Sequence, residues 1–579
     1  MLVVPLVVAA VALRRPTWFP VLDHAMAELR VRDVFTRHTP LIGLPGRIGD
    51  FPEQGSHPGP MSFYALWPTY RLLGSSAWGL QVGALVLASV AASVSVWIAR
   101  RRAGLPLAVA VTALLAVLMA GYGIATLAEP WNPYLPLLWW VVVLLGVWSV
   151  LDGDVRVLPV TVVAASMAAQ THVPYLGLCL GLGGVAFVGL AWRWRSAEPE
   201  ERRTIARWLG ASLAVAAALW SVLLVDQLTK EPGNLSMLWE HFTHPPEEPV
   251  GVANGVELLL RHLDVTAFVG SGEADLGSLA QQSGEAGGSV VAGLVVLVVW
   301  ALSAVVAWRR RLALVNRLNV VLAAALVLGA YSMSRIFGKV WYYLMLWQWA
   351  TTGLLVLSAL WTAWVVLDRP RLARAGAGVL VGVAVLASLT LAVDAADAEP
   401  PAPQLSEVLA EIVPPAAERL DPRNRYLVTW DDSFYIGSQG YGVVSELERR
   451  GFDAGALFPW RVPITHHRVY APDEVDAEVH LAVGAFVERW RQVPGAEELA
   501  AHDPRDADDL AEYERLRREV LAGLREAGLD DLVRLVDGNL FGLSIEEGLP
   551  RDVREKTEDM LRLGTIGALF LVPPGTTLP

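Results

Sequence analysis

The feature that most constrains this chain is a series of apolar runs, each about as long as a helix needs to be to cross a bilayer. They fall near 78–99, 105–125, 134–151, 156–170, 174–192, 207–226, 288–308, 318–334, 341–366 and 375–393. About 17–25 residues suffice to span the hydrocarbon core. A further run, Met1–Leu13, is too short to cross unaided and is read as the truncated end of a first helix, the alternative being a helix that continues past Arg14 and Arg15. In lipid every backbone N–H and C=O must find its partner inside the protein, so runs of this length specify a helical bundle. The chain is 54% hydrophobic and 18% charged, and its mean hydropathy of +0.42 is too apolar for an ordinary soluble enzyme. A net charge of −12 gives no footing for nucleic acid. The sole cysteine, Cys179, excludes both a disulfide framework and a thiolate metal cluster.

Basic residues set the orientation. Arg100–Arg102, the group Arg193 to Arg207, Arg309–Arg311 with Arg317, and Arg369, Arg371 and Arg374 occupy alternate connections. The positive-inside rule makes those connections cytoplasmic. The connections 14–77, 126–133, around 171–173, 227–287 and 335–340, and everything after Asp394, are then outside. Arg14 and Arg15 oppose this and are outvoted. The expectation is about eleven crossings of the cytoplasmic (plasma) membrane, with the N-terminus inside and the C-terminus outside. Residues 1–395 form the membrane part and 396–404 a Pro/Ala linker ("DAADAEPPAPQ" spans the change). Residues 405–579 read as an extracytoplasmic α/β domain: "NRYLVTWDD" and "GALFLVPPG" as strands, "GVVSELERRG" and "AEYERLRREVLAGLREAGLDDLVRLV" as helices. There is no internal repeat.

The outer connections hold the candidate chemistry. Asp23 follows the first helix closely, and a carboxylate near apolar walls has its pKa raised unless a cation pairs with it. That suits a general base for a sugar hydroxyl; the ordinary alternative is a solvated acid on an interfacial helix. His57, in "DFPEQGSHPGPMSFYALWP", is suited to phosphate, a metal or a sugar hydroxyl, or equally to capping an ordered loop. A metal site from Asp23, His24 and His57 has no supporting ligand spacing, so the metal stays unknown. Glu129 beside Trp131 and Asn132 suits sugar, with the indole over its apolar face and the carboxylate on its hydroxyls; Pro130 and Asn132 also end helices routinely. Gln170 and His172 extend the same rim. Arg335 and Lys339, beside Tyr342 and Tyr343, break the positive-inside pattern and suit a phosphate, or else headgroups in general.

Taken together, "LDHAMAEL", "PLIG…HPGPMSFYALWPTYRLLG", "EPWNP" and "SRIFGKVWYY", in this order and on one side, resemble the GT-C superfamily of integral-membrane glycosyltransferases. Protein O-mannosyltransferases, the aminoarabinose transferases of lipid A and actinobacterial arabinosyltransferases belong to it. The resemblance covers roughly 1–395. It implies a donor sugar on a polyprenyl phosphate and a glycan or protein acceptor in the cell envelope, probed at the outer face. Under it Asp23 is the base, Glu129 orients hydroxyls, and Arg335 and Lys339 hold the lipid phosphate. His57 then faces the reaction chamber, and Gln227, Glu231 and Asn234 form another wall. The family often has two adjacent acids in the first loop; here His24 follows Asp23, which leaves Asp33 as the second acid or metal dependence absent.

Two other classes compete. A transporter or glycolipid flippase would want polar residues near mid-membrane and paired repeats, whereas the mid-span positions are almost wholly Ala, Val, Leu and Gly. A non-catalytic envelope scaffold or sensor would leave Asp23 outside any cavity.

Overall fold

The computed structural model describes residues 1–270, 288–368, 370–434 and 437–578. Arg369, positions 271–287 of the long fourth outer connection, and 435–436 of "TWDDSFYIGSQGYG" lie outside the described residues.

The chain opens with α1 (Val3–Ala12) and α2 (Leu22–Asp33), then a small hairpin of β1 (Pro45–Ile48) and β2 (Gly55–Ser56), then α3 (Met61–Leu72). The bundle continues through α4 (Ala77–Ala128), α5 (Leu137–Leu151), α6 (Leu158–Thr171), α7 (Pro174–Ser196) and α8 (Pro199–Thr229). Three outer helices follow, α9 (Asn234–Thr243), α10 (Gly251–Arg261) and α11 (Val265–Gly270). The bundle is completed by α12 (Val290–Arg309), α13 (Ala313–Ser334), α14 (Trp347–Leu367) and α15 (Pro370–Asp394). Among the described residues seven helices are long and apolar enough to cross a membrane: α4, α7, α8, α12, α13, α14 and most of α15. The long α4 holds two of the expected runs. It turns at Gly104, whose φ of +72° glycine adopts freely, two residues before Pro106. Three shorter apolar helices cover Val3–Ala12, Leu137–Leu151 and Val155–Thr171. Of these, α5 is buried along almost its whole length, with Trp140 and Trp148 fully enclosed. A helix apolar on every face belongs at the centre of a bundle.

The sequence run 341–366 is helical only from Trp347, because Trp341 to Leu346 form an irregular turn over the cavity described below. At the arginine-rich end Arg101 pairs with Asp154, and Arg102 and Arg317 both reach Asp152. These ion pairs gather the basic connections at one end of the bundle, and the acidic and aromatic connections meet at the other.

After α15 the linker leads into α16 (Pro403–Arg419) and a five-stranded sheet. The strands are β3 (Arg425–Asp432), β4 (Asp453–Ala456), β5 (Ala477–Val483), β6 (Glu497–His502) and β7 (Gly567–Val572), in the order β4-β3-β5-β7-β6. β3 pairs in parallel with β4 and β5, while β7 runs antiparallel between β5 and β6. The closing strand is therefore internal. α17 (Ser438–Arg449) packs beside β3 and ends before Gly451, at φ +91°. The long helix expected from Ala511 onward spans Ala507–Glu526 and stops at Gly528, at φ +71°, short of the expected Val536. In "TWDDSFYIGSQGYG" the Asp432 carboxylate accepts from the Phe434 and Gly437 amides.

Candidate active site

Where the outer connections meet the C-terminal sheet domain, the bundle encloses a cavity of about 1900 Å³. Asp23, His24, His57, Glu129, Trp131, Asn132, His172 and Arg335 all line it. Asp33, Gln227, Asn234, Lys339 and Tyr342 do not.

Asp23 sits in the first turn of α2, where the partial positive charge of a helix N-terminus favours a carboxylate. The preceding Leu22 has φ +44°, a left-handed backbone that a leucine adopts only at a cost. Trp131 Nε1 donates to Asp23 Oδ2 at 2.7 Å. Burial raises the Asp23 pKa above the usual carboxylate value, and the Trp131 hydrogen bond and nearby His24 oppose the rise. The carboxylate opens on the cavity yet is surrounded by protein, which is the environment of a tuned base. Next to it His24 Nε2 lies 2.9 Å from Glu129 Oε1, and Trp18 meets the His24 ring edge-on at 5.5 Å. Trp131 is wedged between Tyr134 and Tyr343, each 4.9 Å away and steeply inclined. Its indole N–H is thereby aimed at Asp23.

The "SHPGP" stretch locks the cavity wall. His57 Nδ1 accepts from the Val173 amide at 3.1 Å, and its ring lies 5.1 Å from that of His172. Burial holds His57 down to about 4 and His172 well below the usual imidazole value, so both are neutral and polar. Gly59 donates its N–H to Gln170 O at 3.0 Å; a Cβ there would lie 2.5 Å from Gln170 Oε1, so a larger residue would displace the buried Gln170 side chain. Asn234, expected on a wall, instead ties the hairpin down: Oδ1 accepts from Ser56 N at 2.8 Å and Nδ2 donates to Ser56 O at 3.1 Å. Gln227 is spent on Ser236, to which it both donates and accepts.

The cations sort differently from the sequence reading. Arg335 borders the cavity, its Nη2 reaching Phe242 O at 3.4 Å. Lys339 turns to the C-terminal domain, donating to Ile545 O at 2.7 Å and lying over Trp341. Tyr342 faces the bundle interior, where its hydroxyl accepts from Trp349 Nε1 at 2.7 Å; its neighbour Tyr343 takes the cavity side. Two cations not foreseen also line the cavity, Arg562 and Arg47 of β1, the latter exposed and 5.6 Å from the Trp341 ring. Burial pushes the Tyr343 hydroxyl up to about 12, and Arg47 beside it opposes the rise. The sequence held a signal for Arg47: it is the sole Lys or Arg between Arg37 and Arg71, in a connection read as outside.

Asp33 lies at the far end of α2, gripped through both oxygens by Arg468 at 2.7 and 2.8 Å. Glu28, fully buried, meets Arg449, Arg32 and the Tyr70 hydroxyl. Arg30 donates to the carbonyls of Val462 and Pro463. The helix that carries Asp23 is thus fastened to the C-terminal domain along its length. Among the described residues no three His, Cys, Asp or Glu side chains gather as a metal site, and the trio Asp23, His24 and His57 is not brought together as one.

No family model matches this chain, and no curated protein matches it. Among solved structures it is similar to ArnT from Cupriavidus metallidurans bound to undecaprenyl phosphate. The identity is 14% and the TM-score 0.51, over 86% of this chain and 95% of that one. The apo form of the same protein gives 14% and 0.50, over 86% and 94%. The oligosaccharyltransferase AglB from Archaeoglobus fulgidus, solved with an inhibitory peptide and a dolichol-phosphate, is 8% identical with a TM-score of 0.44, over 99% and 88%. The likeness to ArnT is one of fold, and the sequence resemblance to the GT-C proteins points the same way.

Proposed function

We propose that this protein is a membrane glycosyltransferase that moves a sugar from a polyprenyl-phosphate donor to a hydroxyl of a cell-envelope acceptor at the outer face of the cytoplasmic membrane. The observation that carries the reading is Asp23: a buried carboxylate of raised pKa, held by Trp131, in a cavity that also presents Arg47 and Arg335. Part of the cavity lining is apolar, with Ile124, Leu176, Leu178, Leu180, Leu328 and Met333, which suits a prenyl chain.

In this reading Asp23 takes the proton of the acceptor hydroxyl as its oxygen attacks the anomeric carbon. The new C–O bond forms as the bond from that carbon to the phosphate oxygen breaks, and the polyprenyl phosphate leaves with the electron pair. Arg47 and Arg335 neutralise the charge that grows on it. A single displacement of this kind inverts the anomeric centre. The hydrogen-bonded His24 and Glu129 orient a hydroxyl, and Trp131 and Asn132 offer it further contacts. Lys339, bonded to a backbone carbonyl, is not part of the phosphate site in this proposal. The fold neighbour ArnT, solved bound to undecaprenyl phosphate, supports a lipid-phosphate substrate for this chain.

The test is transfer from radiolabelled polyprenyl-phosphate pentoses and hexoses to envelope acceptors, in membranes holding wild type or Asp23→Asn. Transfer by wild type and its loss in the inserted, folded variant are expected. Undiminished transfer by Asp23→Asn removes Asp23 from the chemistry, and no transfer from any donor by wild type refutes the function.

A further inference from the structure

The cavity is continued at its rim by aromatic rings from two distant parts of the chain. Tyr441 of α17 lines the same cavity as Asp23. Its ring lies 5.9 Å from that of Trp460, and Trp460 lies 5.2 Å from Phe51 of the hairpin connection. Next along the chain Phe458 carries the Arg461 guanidinium 4.2 Å from its ring. Arg461 in turn binds Glu53 at 2.6 Å, fixing the hairpin connection to the C-terminal domain. Asp50 and Pro463, beside these rings in sequence, are cavity-wall residues, so the strip is continuous with the cavity. Phe51 and Phe458 are 54% and 60% exposed.

Half-exposed rings cost free energy in water unless something covers them. These rings are not on the apolar helices that face lipid; they lie on the hairpin connection and the sheet domain. They are flanked by Asp50, Glu53 and Arg461. Arg461 covers one face of Phe458; an open ring face beside charged groups suits a sugar, which stacks its C–H face and offers its hydroxyls to the charges. The track begins at Tyr441, in the same cavity as Asp23, and leads to the exposed Phe51 and Phe458.

We infer that the acceptor is an oligosaccharide chain whose outer residues lie along the strip Tyr441–Trp460–Phe51/Phe458 while its terminal hydroxyl reaches Asp23. This rests on the transferase reading for the role of Asp23, but the strip binds glycan whether or not a donor is present.

The test is calorimetric titration of the full chain in detergent with manno-, galacto-, arabino- and gluco-oligosaccharides of two and six residues. At least one series binds, the six-residue member more tightly than the two-residue one. Phe51→Ala/Phe458→Ala weakens binding of the six-residue sugar about tenfold, as loss of two ring contacts requires. Both rings are exposed, so their truncation leaves the fold in place; Arg461→Ala, which unties the two halves of the strip, is a second variant expected to weaken the same binding. No binding in any series, binding independent of length, or affinity unchanged in both variants overturns the proposal. Sugar transfer by wild type without length-dependent binding leaves the transferase reading standing and removes the strip. Binding without transfer does the reverse.

Discussion

Replacing Trp131 by Phe tests the reasoning about Asp23 most directly. The indole N–H donates to Asp23 Oδ2 at 2.7 Å, and this bond favours the ionised carboxylate against the burial that raises its pKa. Phenylalanine keeps a ring between Tyr134 and Tyr343 but removes the donor. A hydrogen bond to a charged acceptor contributes about 1.5 kcal/mol or more, and 1.4 kcal/mol is tenfold in a protonation equilibrium. The sign follows. Without the bond the carboxylate is harder to ionise, so its pKa rises further and a smaller fraction is available as base on the acid limb. At a fixed pH on that limb kcat/KM falls about tenfold. At alkaline pH, where Asp23 is ionised in both proteins, the variant recovers most of the wild-type rate. The assay is kcat/KM for transfer across pH with wild type and Trp131→Phe side by side. A uniform loss at every pH, with the limb unmoved, would show that Trp131 acts on packing or on sugar and would refute its role in tuning Asp23.

Two further outcomes follow from the same geometry. Arg47→Ala weakens donor use about tenfold or more, the worth of a charge-assisted hydrogen bond to phosphate, read as a raised KM for the polyprenyl-phosphate sugar with partial rescue by Arg47→Lys; an unchanged KM removes Arg47 from the phosphate site. Arg449→Ala leaves Glu28, which is 0% exposed, with only Arg32 and Tyr70, and breaking such a buried pair costs about 3 kcal/mol; thermal unfolding in detergent begins at a lower temperature, and a midpoint equal to wild type would show that the pair does not hold α2.

Much of the membrane part was legible because the bilayer makes a local demand. Each crossing must satisfy its own backbone and be apolar over a fixed length, so a run of residues declares itself without reference to the rest of the chain. The gap between the runs 78–99 and 105–125 likewise coincides with the turn at Gly104 that divides α4. The C-terminal domain was legible in β3, α17 and β7 but not in β4, β5 and β6. "DAGA" and "EELAAH" are short and weakly patterned, and only pairing with neighbours makes them strands.

The sequence by itself determined the apolar helices of the bundle and which connections share an end of it. It did not determine which side chains meet. Asp23 and Trp131 are 108 residues apart, His24 and Glu129 are 105 apart, and Asp33 and Arg468 are 435 apart. Such pairings depend on how helices and domain pack, and no local pattern encodes them. Arg47, Arg335 and Lys339 are alike as basic residues in outer connections. Packing alone turns Lys339 onto the Ile545 carbonyl and leaves Arg47 and Arg335 in the cavity. Asp33 was as plausible a second acid as any in the first connection, until the fold brought Arg468 to it and Asp23 to the cavity. A charge without a partner is costly away from water, so the tertiary structure, by supplying partners to some carboxylates and cations and leaving others open to the cavity, decided which are structural and which are free to act.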